Sequence, residues 1–309
     1  MNILTDMKNQ PSKALIYLVA ITSITLWGFS YIWSNQLIAQ NVPIYYFVFL
    51  RVSIAGLLLL LYNLLTRSFK PIDKEHLLPF VLLAFCEPFI YFIAETYGIK
   101  ETGSPTISSM IIATVPILSM IVGMTVFKEK VTRLNILGVF VTLGGLALVL
   151  FTQMEKGVGE HFALGIALLA VAVVAEVLHA SFTKKLSKDY SPQVIVMYQF
   201  LLGAVYFLPV FISEGLDKFH PEFLSWSVLK PILCLSVLCS SLAFTLWVTA
   251  IKHLGVAKSS VFLAMISVVT ALGASFLGQE ILTGWQWLGV AVSAGGIILS
   301  QYSPKAESS

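Results

Sequence analysis

Three ionisable residues sit where ionisable residues are scarce. Glu87, Glu176 and His179 each fall deep inside a long apolar stretch of the chain. Glu87 lies about eleven residues into its stretch, ~16 Å along a helix axis at 1.5 Å per residue. Glu176 is at a similar depth in a second stretch, and His179, three residues on, shares its helical face. Glu87, Tyr91 and Glu95 follow one another at i, i+4 and i+8, one line along a helix. A carboxyl in low-dielectric surroundings is disfavoured in its charged form, so it can exchange a proton in step with whatever occupies the space beside it. The functional reading is a polar, protonatable strip lining a cavity. The structural reading is a hydrogen-bonded network between helices, with Glu176 joined to His179. Glu95 falls close to the end of its stretch, where the structural reading is preferred.

Further residues belong to the same picture. Trp27 and Tyr31 are four apart, an aromatic wall at helical spacing, and Ser30, Ser34 and Asn35 give that helix a polar edge. Plain core packing is the competing account of the aromatics. Arg51 has three open readings: it binds a carboxylate ligand, pairs with a glutamate, or snorkels to headgroups. Cys86, Cys234 and Cys239 all lie in apolar runs and read as small apolar fillers. No GxxxxGK[ST] run, Cys/His cluster or HExxH is present, so no nucleotide, cofactor, metal or catalytic site is expected.

The elements that position these residues follow from composition. The 309-residue chain is 57% hydrophobic and 11% charged, with a mean hydropathy of +0.87. Soluble domains carry roughly 25% charged residues. This excludes a soluble enzyme, a disordered chain and a disulfide scaffold, and the bilayer must supply most of the apolar environment. No basic block for nucleic acid exists. Charge-free runs at 102–127, 134–154, 190–213, 231–251, 259–279 and 281–304 each reach the ~20 residues a membrane helix needs. The charge-free stretch 14–50 is broken at Asn41-Val42-Pro43, giving helices at about 14–38 and 43–66. Two more, about 76–99 and 161–184, hold the glutamates. The expectation is an all-α integral membrane protein of ten transmembrane helices. A β-barrel would alternate at period two, and runs such as Ala55–Leu61 do not.

Of the 19 Lys and Arg, 14 fall on the loops that share a side with the N-terminus, 4 on the other side, and Arg51 lies inside a span. The positive-inside rule then places both termini in the cytoplasm. Ser104-Pro105 and Ser191-Pro192 read as N-cap plus first-turn pairs. Pro88, Pro116 and Pro209 fall within spans and are expected to kink them.

The two halves resemble each other. Ile99-Lys100, Gly103 and Ser108 match Ile251-Lys252, Gly255 and Ser260, and Glu129, Gly138-Val139 and Gly144-Gly145 match Glu280, Gly289-Val290 and Gly295-Gly296. Five spans per copy is an odd number, so the second copy inserts upside down. The organisation expected is a cytoplasmic N-terminus at 1–13, five-helix repeats at 14–153 and 154–302, and a cytoplasmic tail at 303–309. Inverted repeats of this kind are typical of secondary transporters. The glycines read as close-packing positions.

Leu26-Trp27-Gly28, Phe49-Leu50-Arg51, Pro116, Lys128-Glu129-Lys130 and Gly278-Gln279-Glu280, in this order and spacing, resemble the EamA family of the drug/metabolite transporter superfamily. The resemblance implies a ten-helix inverted-repeat fold around a central cavity. It also implies export of amino acids or other small metabolites across a bacterial inner membrane, by alternating access. Arg is common at the position of Arg51 in that family, and its repeat counterpart here is Gln199. Glu87 and Glu176 stand where the family more often has apolar or small residues. The expected partners are a small-molecule substrate and membrane lipid, with no nucleic acid; the sequence leaves the oligomeric state open and is compatible with a monomer. A proton gradient acting through Glu87 or Glu176 is the candidate driving force. An uncoupled facilitator on the same fold and an integral-membrane enzyme are the alternatives.

Overall fold

The computed structural model describes residues 12–128, 131–154, 161–215, 220–263, 265–278 and 281–301. These residues form helices and no strand. In chain order the rods are α1 (Ala14–Ala39), α2 (Ile44–Leu65), α3 (Lys74–Thr102), α4 (Pro105–Thr125), α5 (Arg133–Met154), α6 (Phe162–Leu186), α7 (Pro192–Glu214), α8 (Trp226–Leu254), α9 (Val256–Phe276) and α10 (Gly284–Gln301). Eight of them, α1–α4 and α6–α9, are long and apolar enough to cross a membrane. The apolar part of α5 is shorter, Arg133–Leu148, and α10 has 18 residues. The chain is thus a multi-pass membrane protein, with eight full-length apolar helices among the described residues. Charge-free runs misplace two starts. The α8 helix begins at Trp226, ahead of Lys230, and α9 begins directly after Gly255, ahead of Lys258. Lysines in an end turn do not stop a helix, because their stems reach along it to water.

Local chemistry sets the ends and breaks. The Ser104 hydroxyl accepts from the Ile107 N–H at 3.1 Å, capping α4 as expected. Ser191 stands at the N-cap of α7 without a side-chain cap bond, so only Pro192 in the first turn acts there as expected. Three wide turns interrupt the rods: Phe85–Ile90 in α3, Phe211–Gly215 ending α7, and Cys234–Leu242 in α8. In the first, Glu87 is extended (φ −147°, ψ 121°) and the Glu87–Pro88 peptide is cis. The Pro88 ring lies against Gly203 of α7, where any Cβ would overlap it. Pro116 opens the second part of α4, after a break at Ala113 and Thr114. Pro209 lies two residues before the wide turn that ends α7.

Packing repeats between the halves. The α1 helix packs on α8 and α9, as α6 packs on α3 and α4; α2 packs on α7 and α5 on α10. Exchanging the halves therefore leaves every one of these neighbour pairs unchanged. The α5–α10 crossing shows the relation atom by atom. Thr132 and Asn135 open α5 with reciprocal bonds: the Thr132 N–H donates to Asn135 Oδ1 at 2.7 Å and the Asn135 N–H to Thr132 Oγ1 at 3.3 Å. Thr283 and Gln286 do the same for α10, at 2.9 and 3.3 Å. Where the helices cross, Thr142 donates to the Ser293 carbonyl at 3.4 Å and Ser293 to the Thr142 carbonyl at 3.2 Å. These two residues occupy equivalent places in the repeats, so the crossing lies on the axis relating the halves. The crossing needs glycine: a Cβ on Gly138, Gly145 or Gly296 would strike backbone of the opposite helix, whereas Gly144 and Gly295 face open space. Small residues let helices in lipid approach backbone to backbone.

Leu57, Leu61, Leu78, Val174 and Ile298 are among the large apolar side chains left exposed around the bundle, as a lipid-facing belt requires. At the lysine-rich end, the loops before α3 and α7 are tied together. The Tyr190 hydroxyl donates to Asp73 Oδ2 and accepts from the Asp73 N–H, both at 2.9 Å. This bond, with Lys70 3.6 Å away, holds the exposed Asp73 carboxyl below its usual range. The tie therefore persists at neutral pH and is lost only as pH falls through that lowered value.

The glycine asymmetry is testable. Gly145→Leu forces α5 from α10 and is expected to cost about 1–3 kcal/mol, as overpacking does. Gly144→Leu, pointing outward, is expected to stay within about 0.5 kcal/mol of the parent. Thermal melts in detergent distinguish the two, and equal losses would mean that the crossing is not where the glycines matter.

Candidate functional site

A small chamber lies between the halves. Its walls bring together six of the seven residues singled out from the sequence: Trp27, Tyr31, Arg51, Glu87, Tyr91 and Glu176. The seventh, His179, touches both glutamates. The chamber holds about 20 Å³, room for a water or so. Two larger recesses open at opposite ends, about 550 Å³ beside Lys100 and about 570 Å³ beside Lys184 and Lys188. Neither recess shares a lining residue with the chamber.

Glu87 reaches the chamber because of the break in α3. An extended residue followed by proline interrupts the helical ladder and turns the carboxyl toward α6. His179 Nδ1 lies 2.8 Å from Glu87 Oε2 and 3.5 Å from Glu176 Oε2. The sequence reading joined His179 to Glu176, its neighbour along the helix; the shorter contact runs across to α3 instead. It is a charge contact without hydrogen-bond alignment, since Glu87 Oε2 and His179 Nδ1 both lack an aligned partner, as does Glu176 Oε1. The other ring nitrogen of His179 lies 3.3 Å from Thr183 Oγ1. One donor atom from each of Glu87, Glu176 and His179 lies within 4.8 Å of the others, close enough to share one cation. All three residues are at most 3% exposed.

A second polar group continues the strip. The Tyr31 and Tyr91 hydroxyls are 3.3 Å apart, and Tyr91 donates to Glu95 Oε1 at 3.2 Å. Glu95, read as close to the end of its span, is 4% exposed and lines the chamber. Tyr91 and Glu95 share a face because α3 is regular from Tyr91 on, and Glu87, on the break before them, lines the same chamber. Arg51 does not snorkel. It is buried, its Nε donates to Ser240 Oγ at 2.8 Å, and its guanidinium carbon sits 4.0 Å above the Phe92 ring centre. Its repeat counterpart Gln199 is fully buried, with neither amide atom partnered.

Trp27 both packs and lines. Its indole N–H donates to the Cys239 carbonyl at 2.9 Å, and its ring meets Phe244 edge-on at 4.8 Å. Cys239 is a buried free thiol whose sulfur lies 3.1 Å from the Leu26 carbonyl, so it is more than an apolar filler. Ser240, Phe92 and Phe244 escaped the sequence reading. The run Ser236–Ser241, polar in an otherwise apolar span, was the available signal for the first. Of the short motifs, Glu129, Lys130, Gln279 and Glu280 lie outside the described residues.

Comparison with known proteins fits this geometry. The EamA-like transporter family matches the chain twice, at residues 14–151 and 163–302. The chain belongs to that family. Among relatives of this EamA chain, the uncharacterized transporter YetK of Bacillus subtilis is 25% identical over 275 residues, covering 88% of this chain and 82% of YetK. A probable terminal-alkyne amino-acid exporter of Streptantibioticus cattleyicolor is 25% identical over 198 residues, covering 62% of each chain. One crystal structure shares the fold with a TM-score of 0.75 at 17% identity, over 96% of this chain and 100% of that one.

The histidine bridge has an energetic consequence. Removing one partner of a buried charge contact costs about 3–5 kcal/mol, because the remaining charge is left uncompensated. His179→Leu is expected to destabilise by that order. Combining it with Glu87→Gln and Glu176→Gln, which removes the stranded charges, is expected to recover most of the loss. Melting temperatures of the single and triple variants decide; a triple variant no better than the single one would mean that packing around the ring, not charge, is what was lost.

Proposed function

We propose that this EamA-family transporter is a secondary carrier exporting small amino-acid-like metabolites across the bacterial inner membrane, with both termini in the cytoplasm. The ten helices form two inverted five-helix repeats that rock about the α5–α10 crossing, and α5 and α10 complete the ten spans. The observation that supports this reading best is the small chamber between the halves, lined by the buried carboxyl groups of Glu87, Glu95 and Glu176. A chamber of ~20 Å³ admits no metabolite, so cargo enters only when one end opens. Charge on the loops supports the orientation, because lysine and arginine concentrate at one end. The amino-acid exporter among the relatives supports the cargo class by likeness.

The carrier exchanges a proton for cargo through Glu87 and Glu176, whose carboxylates face one another across His179. Glu→Gln keeps the shape of each side chain and fixes its charge at zero. Glu87→Gln or Glu176→Gln is expected to abolish pH-gradient-driven uptake into inverted vesicles while leaving gradient-free exchange of cargo. Full gradient-driven uptake in both variants, with an unchanged pH profile, would mean that neither glutamate carries the proton. Reporter fusions test the orientation: those after Lys130 and Lys188 are expected to read cytoplasm and one near Asp217 periplasm. A periplasmic C-terminus would overturn the ten-span arrangement.

A further inference from the structure

Three lysines crowd the end of α6. Lys184 and Lys185 stand in its last turn, and Lys188 follows in the loop. With Phe182, and with Val126 and Phe127 from the end of α4, they wall the recess of about 570 Å³. Among the described residues no acidic side chain lines it, and none of the three lysines has an ion-pair partner. Asp189, next along the chain, is engaged by α3 instead, its Oδ2 lying 3.6 Å from His76 Nε2. Lysine in a last turn suits the helix dipole, and lysine at this end suits the orientation. Neither reason calls for an apolar recess around the charges. The repeated frame does not call for the charges either. Counted back from the N-caps of α2 and α7, Pro43 and Ser191, their places in the first half are held by Gln36, Leu37 and Gln40. The last turn of α1 carries no basic residue.

An apolar track leads into the recess. Val171, Val174 and Leu178, each about half exposed, lie along one stripe of α6 at spacings of three and four. With Phe85 and Ile90 of α3 they line a groove of about 420 Å³. The same stripe runs on through Ser181 and Phe182 to Lys185, which belong to the recess. From Val171 to Lys185 the helix rises ~21 Å at 1.5 Å per residue. That exceeds the ~15 Å of hydrocarbon in one leaflet.

We propose that this face of α6 is a binding site for one anionic phospholipid of the leaflet at the lysine-rich end. Its phosphate sits among Lys184, Lys185 and Lys188, and an acyl chain lies in the groove between α3 and α6. The two parts of the site ask for the two parts of one molecule. Lysine ammonium groups are strong point-charge partners for phosphate, and a neutral lipid would leave their charge unanswered. A small soluble phosphate would leave the groove empty. Basic pockets between membrane helices are a natural seat for anionic headgroups, which add charge attraction to the burial of the chain. The lipid rests on the outer face of the helix whose inner face carries Glu176 and His179: Leu178 is 47% exposed and His179 is fully buried. The site stands apart from the chamber and holds whether or not the carrier reading does.

The test titrates purified full-length protein in non-ionic detergent with phosphatidylglycerol and with phosphatidylcholine of the same chains. Native mass spectrometry counts the bound lipid and thermal shift reads the stabilisation. Phosphatidylglycerol is expected to bind at least about tenfold more tightly, because each lysine beside an anionic headgroup is worth about fivefold. Added salt should narrow that preference. The combined variant Lys184→Gln, Lys185→Gln and Lys188→Gln should abolish it, and Lys→Arg at the same three positions should keep it. A charge-matched control, Arg67→Gln with Lys74→Gln and Lys252→Gln, alters exposed residues elsewhere and should behave as the parent. Val174→Trp fills the groove without touching a charge and should weaken phosphatidylglycerol at least about fivefold. Melting without lipid shows that each variant is folded, since the changes are confined to side chains not fully buried. Equal affinity for the two lipids would overturn the proposal, as would a control variant that loses as much as the lysine variant. Glycerol 3-phosphate stabilising the protein as well as phosphatidylglycerol does would mean a free-anion site and would overturn it too. Full binding in the lysine variant would leave the lysines to orientation alone.

Discussion

A carboxylate surrounded by hydrocarbon needs a counter-charge, and this protein buries three of them within one bundle. Much of the local structure can be traced to that demand. Glu87 faces His179 only because α3 breaks at an extended residue followed by Pro88. The break in turn needs room for the proline ring, which Gly203 of α7 provides by having no side chain. His179 is oriented by Thr183 one turn on. Arg51, a helix and a half away in the chain, comes in from α2 because Ser240 and Phe92 receive it. Four helices are thereby committed to one small volume by charge rather than by apolar packing, which in lipid distinguishes poorly between one helix face and another.

The frame holding these groups is symmetric while the groups are not. Equivalent residues Thr142 and Ser293 exchange bonds on the axis, and the caps of α5 and α10 repeat each other. A symmetric frame lets an inward-facing and an outward-facing arrangement have similar energies, since each is nearly the other with the halves exchanged. The chemistry sits off that symmetry. Arg51 of the first half is answered by uncharged Gln199 in the second, and the wide turn of α8 carries serines where that of α3 carries a glutamate. Repeated packing thus frames charged and polar groups that differ between the two copies.

Much of this was legible in the sequence because the membrane makes charge rare. Apolar runs long enough to span revealed the helices, the Gly and Lys matches revealed the repeat, and the few intramembrane ionisable residues pointed to the chamber wall. What stayed hidden depends on geometry that periodicity does not encode. The pairing of His179 with Glu87 follows from how α3 and α6 pack, and helix spacing alone favours Glu176. That neighbouring helices cover Glu95 is likewise not readable from its distance along the span. Helix starts at Trp226 and Val256 were missed because Lys230 and Lys258 interrupt charge-free runs without interrupting helices. Thr132-x-x-Asn135 and Thr283-x-x-Gln286 were readable as paired caps, a signal of the repeat stronger than any single glycine match.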